Sequence, residues 1–517
     1  MRRFGLLLHI SSLPSACGIG DLGPAAHAFV DLLAASGAKV WQFLPTTPTS
    51  VFIGNSPYSS PSAFAGNPLF ISPEVLAADG LVSPADLDCV NCCVPEALHH
   101  HADRVNFAAV SRHREHLLRA TFERNAHHLS DNPDFTTFCR RHEHWLLDYT
   151  RFVTLKEEHG GAAWFQWPEA YKRRDPKALE RWDAHAAVGI MREAFAQYLF
   201  FRQWESLRRH CRTAGVTLMG DVPIYVTHDS VDVWAAPDFY RLDADLAPVT
   251  VAGVPPDYFS ETGQRWGNPI YNWDALQRDG FTWWKRRIAH NLLLCDVIRL
   301  DHFRGFCGYW EIPAEENTAV NGRWRKAPAE AFLRSLKEHF GSLPFVAEDL
   351  GVITDDVRET MLAFTLPGMH VLQFAFSGDK PAYNTAVPHL HTPNSVVYTG
   401  THDNPPTRLW FERLGHDERQ AFLRYAGKDA GEHDAAALLS RLAFASPADL
   451  CVVPMQDALN LGAEARFNTP GLAAGNWEWR LNRLPFLDDL RLLRELAEIY
   501  GRLPDEAPDM GLPPDYC

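Results

Sequence analysis

The sequence predicts an α/β protein: an eightfold parallel barrel of the (β/α)8 or TIM kind, with a large, mostly helical insertion and loop-rich insertions over its C-terminal face. Three observations predict it. Short apolar runs rich in β-branched residues recur along the chain, helix-like stretches separate the later runs, and several runs end in a carboxylate. Alternating strand and helix favours a parallel sheet, and in a closed barrel the strand ends converge on the face that carries active sites.

The apolar runs lie at 40–45, 69–71, 216–223, 297–301, 345–349, 369–374, 396–403 and 450–455, with helix-like stretches at 329–340 and 355–365. From Asp301 to Glu348 is 47 residues and from Glu348 to Asp403 is 55, with a strand near Val371 dividing the second interval. These gaps fit βα units of roughly 30 residues in a barrel of roughly 250. The rest of the 517 residues must be insertion. We read residues 1–72 as the barrel start, 73–213 as a mostly helical inserted subdomain, and 214–517 as the rest of the barrel. A lid-like, Trp-, Pro- and Gly-rich insertion at about 225–291 reads as loops over the mouth, so the whole is one unit.

Composition excludes several roles. Forty-nine basic against 64 acidic residues give a net charge of −15, which argues against nucleic-acid binding through clustered Lys and Arg. Leu6 to Leu8 is too short for the core of an export signal, and no apolar run approaches the ~20 residues of a membrane span. A cytoplasmic protein with no membrane partner is expected, its ten cysteines reduced and mostly buried. Cys89, Cys92 and Cys93, followed by His99, His100 and His101, offer zinc-type ligands, but the spacing lacks two separated couples, and Pro84, Asp86 and Pro95 mark a surface connection. No metal is expected there, and Asp243 and Asp245 read as a solvated surface pair rather than a calcium site.

The informative feature is the acidic strand ends: Gly220-Asp221-Val222, Leu300-Asp301-His302, Ala347-Glu348-Asp349 and His402-Asp403-Asn404. Along 296–304, Val297, Arg299 and Asp301 share one side of a strand and Ile298 and Leu300 the other, so Arg299 and Asp301 can face the barrel mouth together. One such carboxylate is ordinarily a helix cap or surface charge. Several in succession, flanked by His302, His402 and aromatic residues, suit glycoside chemistry, where one carboxyl attacks the anomeric carbon and another protonates the leaving oxygen.

The segments Arg299-Leu300-Asp301-His302-Phe303-Arg304-Gly305, Ala347-Glu348-Asp349-Leu350-Gly351 and Thr401-His402-Asp403-Asn404, in that order, resemble the 4-α-glucanotransferases called amylomaltases or disproportionating enzymes, of the glycoside hydrolase family 77 type within the α-amylase-like group. The resemblance also covers Ser11-Ser12-Leu13-Pro14, Asn55-Ser56-Pro57-Tyr58, Gly322-Arg323-Trp324 and Asn468-Thr469-Pro470-Gly471 with Asn476-Trp477, and runs from residue 5 to about 480. Its most discriminating stretch is 255–269.

The resemblance implies retaining transfer of α-1,4-glucan segments to the 4-hydroxyl of an acceptor. Asp301 would be the nucleophile, Glu348 the acid/base and Asp403 the transition-state stabiliser. Arg299, His302 and His402 would position the reacting groups, and Tyr58 would stack beside the reacting ring. Ser56, Asp257, Tyr258, Phe259, Gln264, Trp266, Asn268, Asn404 and Asn468 would complete the substrate site, the 253–271 loop serving as the water-excluding lid. Maltooligosaccharides and α-1,4-glucans are the implied partners of a monomer or homodimer, and carboxyl chemistry calls for no cofactor. A hydrolase of the same fold and a non-catalytic glucan-binding protein are the competing readings. Arg325, Ala327, 377–379, Glu261 and Arg265 depart from the family pattern and bear on acceptor choice.

Overall fold

The computed structural model describes residues 2–83, 103–256, 260–377, 384–472 and 474–503. Its strands, in chain order, are β1 (Arg3–Leu7), β2 (Val40–Gln42), β3 (Thr217–Val222), β4 (Thr250–Val254), β5 (Gln264–Pro269), β6 (Val297–Leu300), β7 (Gly308–Pro313), β8 (Arg323–Lys326), β9 (Phe345–Ala347), β10 (Gly368–Val371), β11 (Ser395–Tyr398) and β12 (Leu450–Pro454). Eight of them form one parallel sheet in the order β10-β11-β12-β1-β2-β3-β6-β9. The two edges meet: the Ala347 N–H donates to the Pro367 carbonyl at 2.8 Å, which nearly closes the barrel.

Alternation along each strand sorts the side chains. Leu7, Val40, Met219, Val346, Val371 and Val452 fill the barrel, whereas Ile298 and Leu300 pack outward among the residues that meet the helices. Inside, strands approach closely. At Gly5 a Cβ would lie 2.4 Å from the Val40 carbonyl oxygen, so only glycine lets β1 and β2 pair there.

Two strand expectations are corrected. Residues 69–71 are no strand: Pro68–Phe70 is a 3-10 turn capped by Asn67, whose Oδ1 accepts from the Leu69 N–H at 3.0 Å. The run is apolar because Leu69, Phe70 and Ile71 are buried, and burial alone does not distinguish a turn from a strand. The missing strand is β1, whose all-apolar Phe4-Gly5-Leu6-Leu7 is what a parallel strand covered on both faces requires.

Between β2 and β3 the described chain is helical, with long helices at Phe107–Leu129, Glu143–Glu158 and Ala187–Thr213. The last of these holds the loop after β2 by two amide clamps. Gln197 accepts from the Gly66 N–H at 2.8 Å and donates to its carbonyl at 3.0 Å; Gln203 does the same to Ser72 at 2.7 and 3.2 Å. Gly66 has to be glycine, because a Cβ would sit 2.1 Å from the Phe200 ring.

The segment after β3 is not only loops. Strands β4 and β5 join β7 and β8 in an antiparallel sheet of order β5-β4-β7-β8. Its polar anchor is buried Glu311, which accepts from Arg241 at 2.5 Å, Arg323 at 3.1 Å, Arg325 at 2.9 Å and Thr250 at 3.2 Å. Arg325, out of pattern in the sequence, is thus a partner of Glu311. No helix among the described residues is long and apolar enough to cross a membrane.

Candidate active site

Asp221 is the penultimate residue of β3, Asp301 follows β6, Glu348 follows β9, and Asp403 lies in the turn after β11. All belong to the C-terminal rim of the barrel. Asp221 and Arg299 are paired across β3 and β6, and their side chains enter the interior one layer above the apolar filling.

Arg299 links two carboxylates: its Nη1 donates to Asp221 Oδ2 at 2.7 Å and to Asp301 Oδ1 at 3.0 Å. The Tyr58 hydroxyl donates to the same Asp221 Oδ2 at 2.6 Å. Burial works against the Arg299 charge, but Asp221 and Asp301 outweigh it and hold the guanidinium firmly protonated. Tyr58 is pushed well above the usual phenol range, by burial first and by Asp221 second, so it stays a donor. Burial also raises Asp221, against the pull of Arg299.

Glu348 is built into the turn that follows Asp301. Its N–H donates to the Leu300 carbonyl at 3.1 Å, its carbonyl accepts from Phe303 at 3.0 Å, and its Oε2 accepts from the His302 N–H at 2.5 Å. To aim that N–H, His302 adopts left-handed backbone angles (φ 47°, ψ 53°), a sparsely populated region for a residue with a Cβ. Desolvation, reinforced by Asp301 and opposed by Arg299, raises the Glu348 carboxyl to about 8. Burial lowers the His302 imidazole to about 4. One carboxylate paired with arginine therefore faces a carboxyl that keeps its proton near neutrality, the division of labour that acid-assisted nucleophilic displacement needs.

Asp403 Oδ1 accepts from Asn468 at 2.5 Å and lies 3.4 Å from His402 Nε2. The buried His402 ring stacks on Tyr58 with centroids 5.2 Å apart, and Trp477 borders both rings at 5.9 and 6.1 Å. Trp266 is 38% exposed and presents its ring to His302 at 4.9 Å, with its Nε1 donating to Gln264 at 3.1 Å. Ser56 accepts from the Tyr58 N–H at 3.3 Å, Asn268 donates to the Val226 carbonyl at 2.9 Å, and Asn404 Oδ1 accepts from both N–H and hydroxyl of Thr401. These three brace the backbone around the site. Asp257, Tyr258 and Phe259, like the Cys89, Cys92, Cys93 and His99 to His101 group, lie outside the described residues.

Two residues of the site have no role assigned to them by the sequence. Asp221 had a signal, the acidic end of its strand, without a reason to rank it; the reason is spatial, since it joins Tyr58 to Arg299. Trp477 had one as well, the Asn476-Trp477 pair within the family resemblance, but no role attached to it; it reaches the site from an irregular segment at a left-handed φ of 69°.

The sequence model of glycoside hydrolase family 77, 4-alpha-glucanotransferase, matches residues 8–486. A 4-alpha-glucanotransferase of Aquifex aeolicus is 45% identical over 504 residues, 97% of this chain and 100% of the relative. A chloroplastic/amyloplastic 4-alpha-glucanotransferase of Solanum tuberosum is 41% identical over 97% of this chain and 87% of its own. The amylomaltase from Streptococcus agalactiae, solved in complex with acarbose, superposes with a TM-score of 0.91 at 34% identity, covering 98% of this chain and 100% of that one.

Proposed function

Because the chain belongs to the 4-alpha-glucanotransferases of glycoside hydrolase family 77, we propose that Asp301, Glu348 and Asp403 carry out its reaction by double displacement. The enzyme is a transglycosylase acting on α-1,4-glucans. Asp301 attacks the anomeric carbon of the donor sugar while Glu348 gives its proton to the departing 4-oxygen. The shortened glucan leaves, and a glycosyl ester on Asp301 remains. An acceptor 4-hydroxyl then enters, Glu348 takes back its proton, and the new oxygen displaces Asp301 with net retention. Asp403, held by Asn468, grips the hydroxyls of the flattened ring with the buried His402 beside it, and Tyr58 and Trp266 offer ring surfaces to the sugar.

The observation that carries this assignment is the contrast between two neighbours. Asp301 sits 3.0 Å from Arg299, and Glu348 keeps its proton to about 8. Water is excluded as the acceptor when sugar binding orients the 4-hydroxyl and closes the site. Maltotriose incubated with the enzyme is expected to give glucose and a ladder of longer oligomers with little rise in total reducing ends. A rise in step with bond cleavage would instead make the enzyme a hydrolase.

Asp221 supports the nucleophile through Arg299. Asp221→Asn, which keeps shape but not charge, is expected to lower kcat on maltotriose roughly ten- to hundred-fold through misplacement of Arg299 and Tyr58. Steady-state kinetics beside a melting curve checks this; an unchanged kcat would mean that Arg299 is held without Asp221. The six described cysteines carry free thiols, which suits the reducing cytoplasm we assign to the enzyme.

A further inference from the structure

Asp221 gives one oxygen, Oδ2, to both Tyr58 and Arg299, while the other, Oδ1, is buried and makes no hydrogen bond with the chain. Asp221 and Tyr58 line a cavity of about 30 Å³ whose wall also includes Arg287 and His290 of the helix Thr282–Leu294. Those two residues are only 3% exposed, and Arg287 Nε and both His290 ring nitrogens likewise make no hydrogen bond of normal geometry. Residues that carry orphan acceptors and donors, from two separate elements, therefore line one small space.

The size and charge of that space narrow its occupant. At about 10–15 Å³ each, two or three water molecules fill it and nothing as large as a sugar ring enters. Arg287 opposes a cation and Asp221 opposes an anion. Water satisfies both, since it donates to Asp221 Oδ1 and accepts from Arg287. Burial, with neighbouring His142 adding to it and the Phe64 backbone opposing, lowers the His290 imidazole to about 3, so the ring is neutral and offers one donor and one acceptor.

We propose that this cavity is an internal-water site that ties Asp221 to Arg287 and His290, which makes these two residues of the outer helix positioning residues for Tyr58 and Arg299. The inference rests on the catalytic reading of Arg299 and Asp301 given above. Its failure is separable from that reading's, because Asp301→Asn tests the chemistry whatever the cavity holds.

The test has two arms, both on the full-length enzyme. In a crystal structure that resolves ordered solvent, density is expected in the cavity within hydrogen-bond reach of Asp221 Oδ1, linked directly or through a second water to Arg287 Nε or a His290 nitrogen. A dry cavity, or solvent touching only one of the two elements, overturns the proposal. The second arm is His290→Phe, which keeps a ring against Phe64, Trp145 and Phe201, now 5.3, 5.5 and 5.4 Å from the imidazole, and removes both nitrogens. The folded variant is expected to lose roughly tenfold in kcat on maltotriose with KM within about twofold, and His290→Gln should recover most of the loss. Equal kcat in His290→Phe and wild type, or loss in step with melting temperature in both variants, would sink it. If His290→Phe does not fold, the solvent structure of the native enzyme decides.

Discussion

Asp301→Asn is expected to reduce the disproportionation of maltotriose by roughly 10⁴-fold or more, the scale on which deleting a nucleophile acts, while maltooligosaccharides still bind. The amide occupies the volume of the carboxylate but cannot attack the anomeric carbon. The site around it should persist, because Arg299 keeps its 2.7 Å bond to Asp221, and Asp221 its 2.6 Å bond to Tyr58. Calorimetric binding of a maltooligosaccharide, set beside product formation, separates lost chemistry from lost structure. A loss of 10⁴ corresponds to about 5.5 kcal/mol of barrier, too much for a bystander carboxylate. A variant that still transfers at the native rate would remove Asp301 from the mechanism.

Glu348→Gln is the second large effect, and pH gives its signature. Glu348 must hold a proton when the glycosidic bond breaks, and burial keeps it protonated up to about pH 8. The sign follows: kcat/KM on maltotriose is level on the acid side of that value and falls as pH rises through it, because ionisation removes the donor. In Glu348→Gln the basic limb is expected to vanish and the rate to drop roughly 10²–10⁴-fold. A maltosyl fluoride donor, whose leaving group needs no proton, should rescue the first displacement but not the second. The variant should then release one fluoride per active site and accumulate a glycosyl ester on Asp301, visible by mass spectrometry. A basic limb that survives the substitution would assign the proton to another group.

Much of this arrangement is legible in the sequence for a physical reason. A parallel strand buried on both faces reads as an apolar run, and a carboxylate placed at its end interrupts that run visibly, as at Asp301 and Glu348. Where the same rule met competing chemistry it failed. Leu69 to Ile71 is apolar for the sake of burial, but Asn67 and Pro68 fold it into a turn. β1 was obscured because two arginines before a short apolar run also suit a truncated leader. The antiparallel sheet was illegible because its third and fourth strands follow β6: β7 returns to β4 from far along the chain, and β8 then pairs with β7. Glu311, which holds its arginines together, has no sequence pattern to announce it. Asp221 was visible as a strand end, yet its rank depends on two partners 163 and 78 residues away.

The two glutamine clamps have a consequence for how this enzyme can vary. Gln197 and Gln203 each grip a partner 131 residues earlier in the chain, so the loop that carries Tyr58 is registered against the helix like two teeth of a rack. Slippage by one residue would break both grips at once. Changes of length between Ser72 and the start of that helix at Ala187 leave the register alone, because both teeth lie outside that interval. The inserted helices can therefore lengthen, shrink or take on new surfaces by mutation while the catalytic rim stays in place.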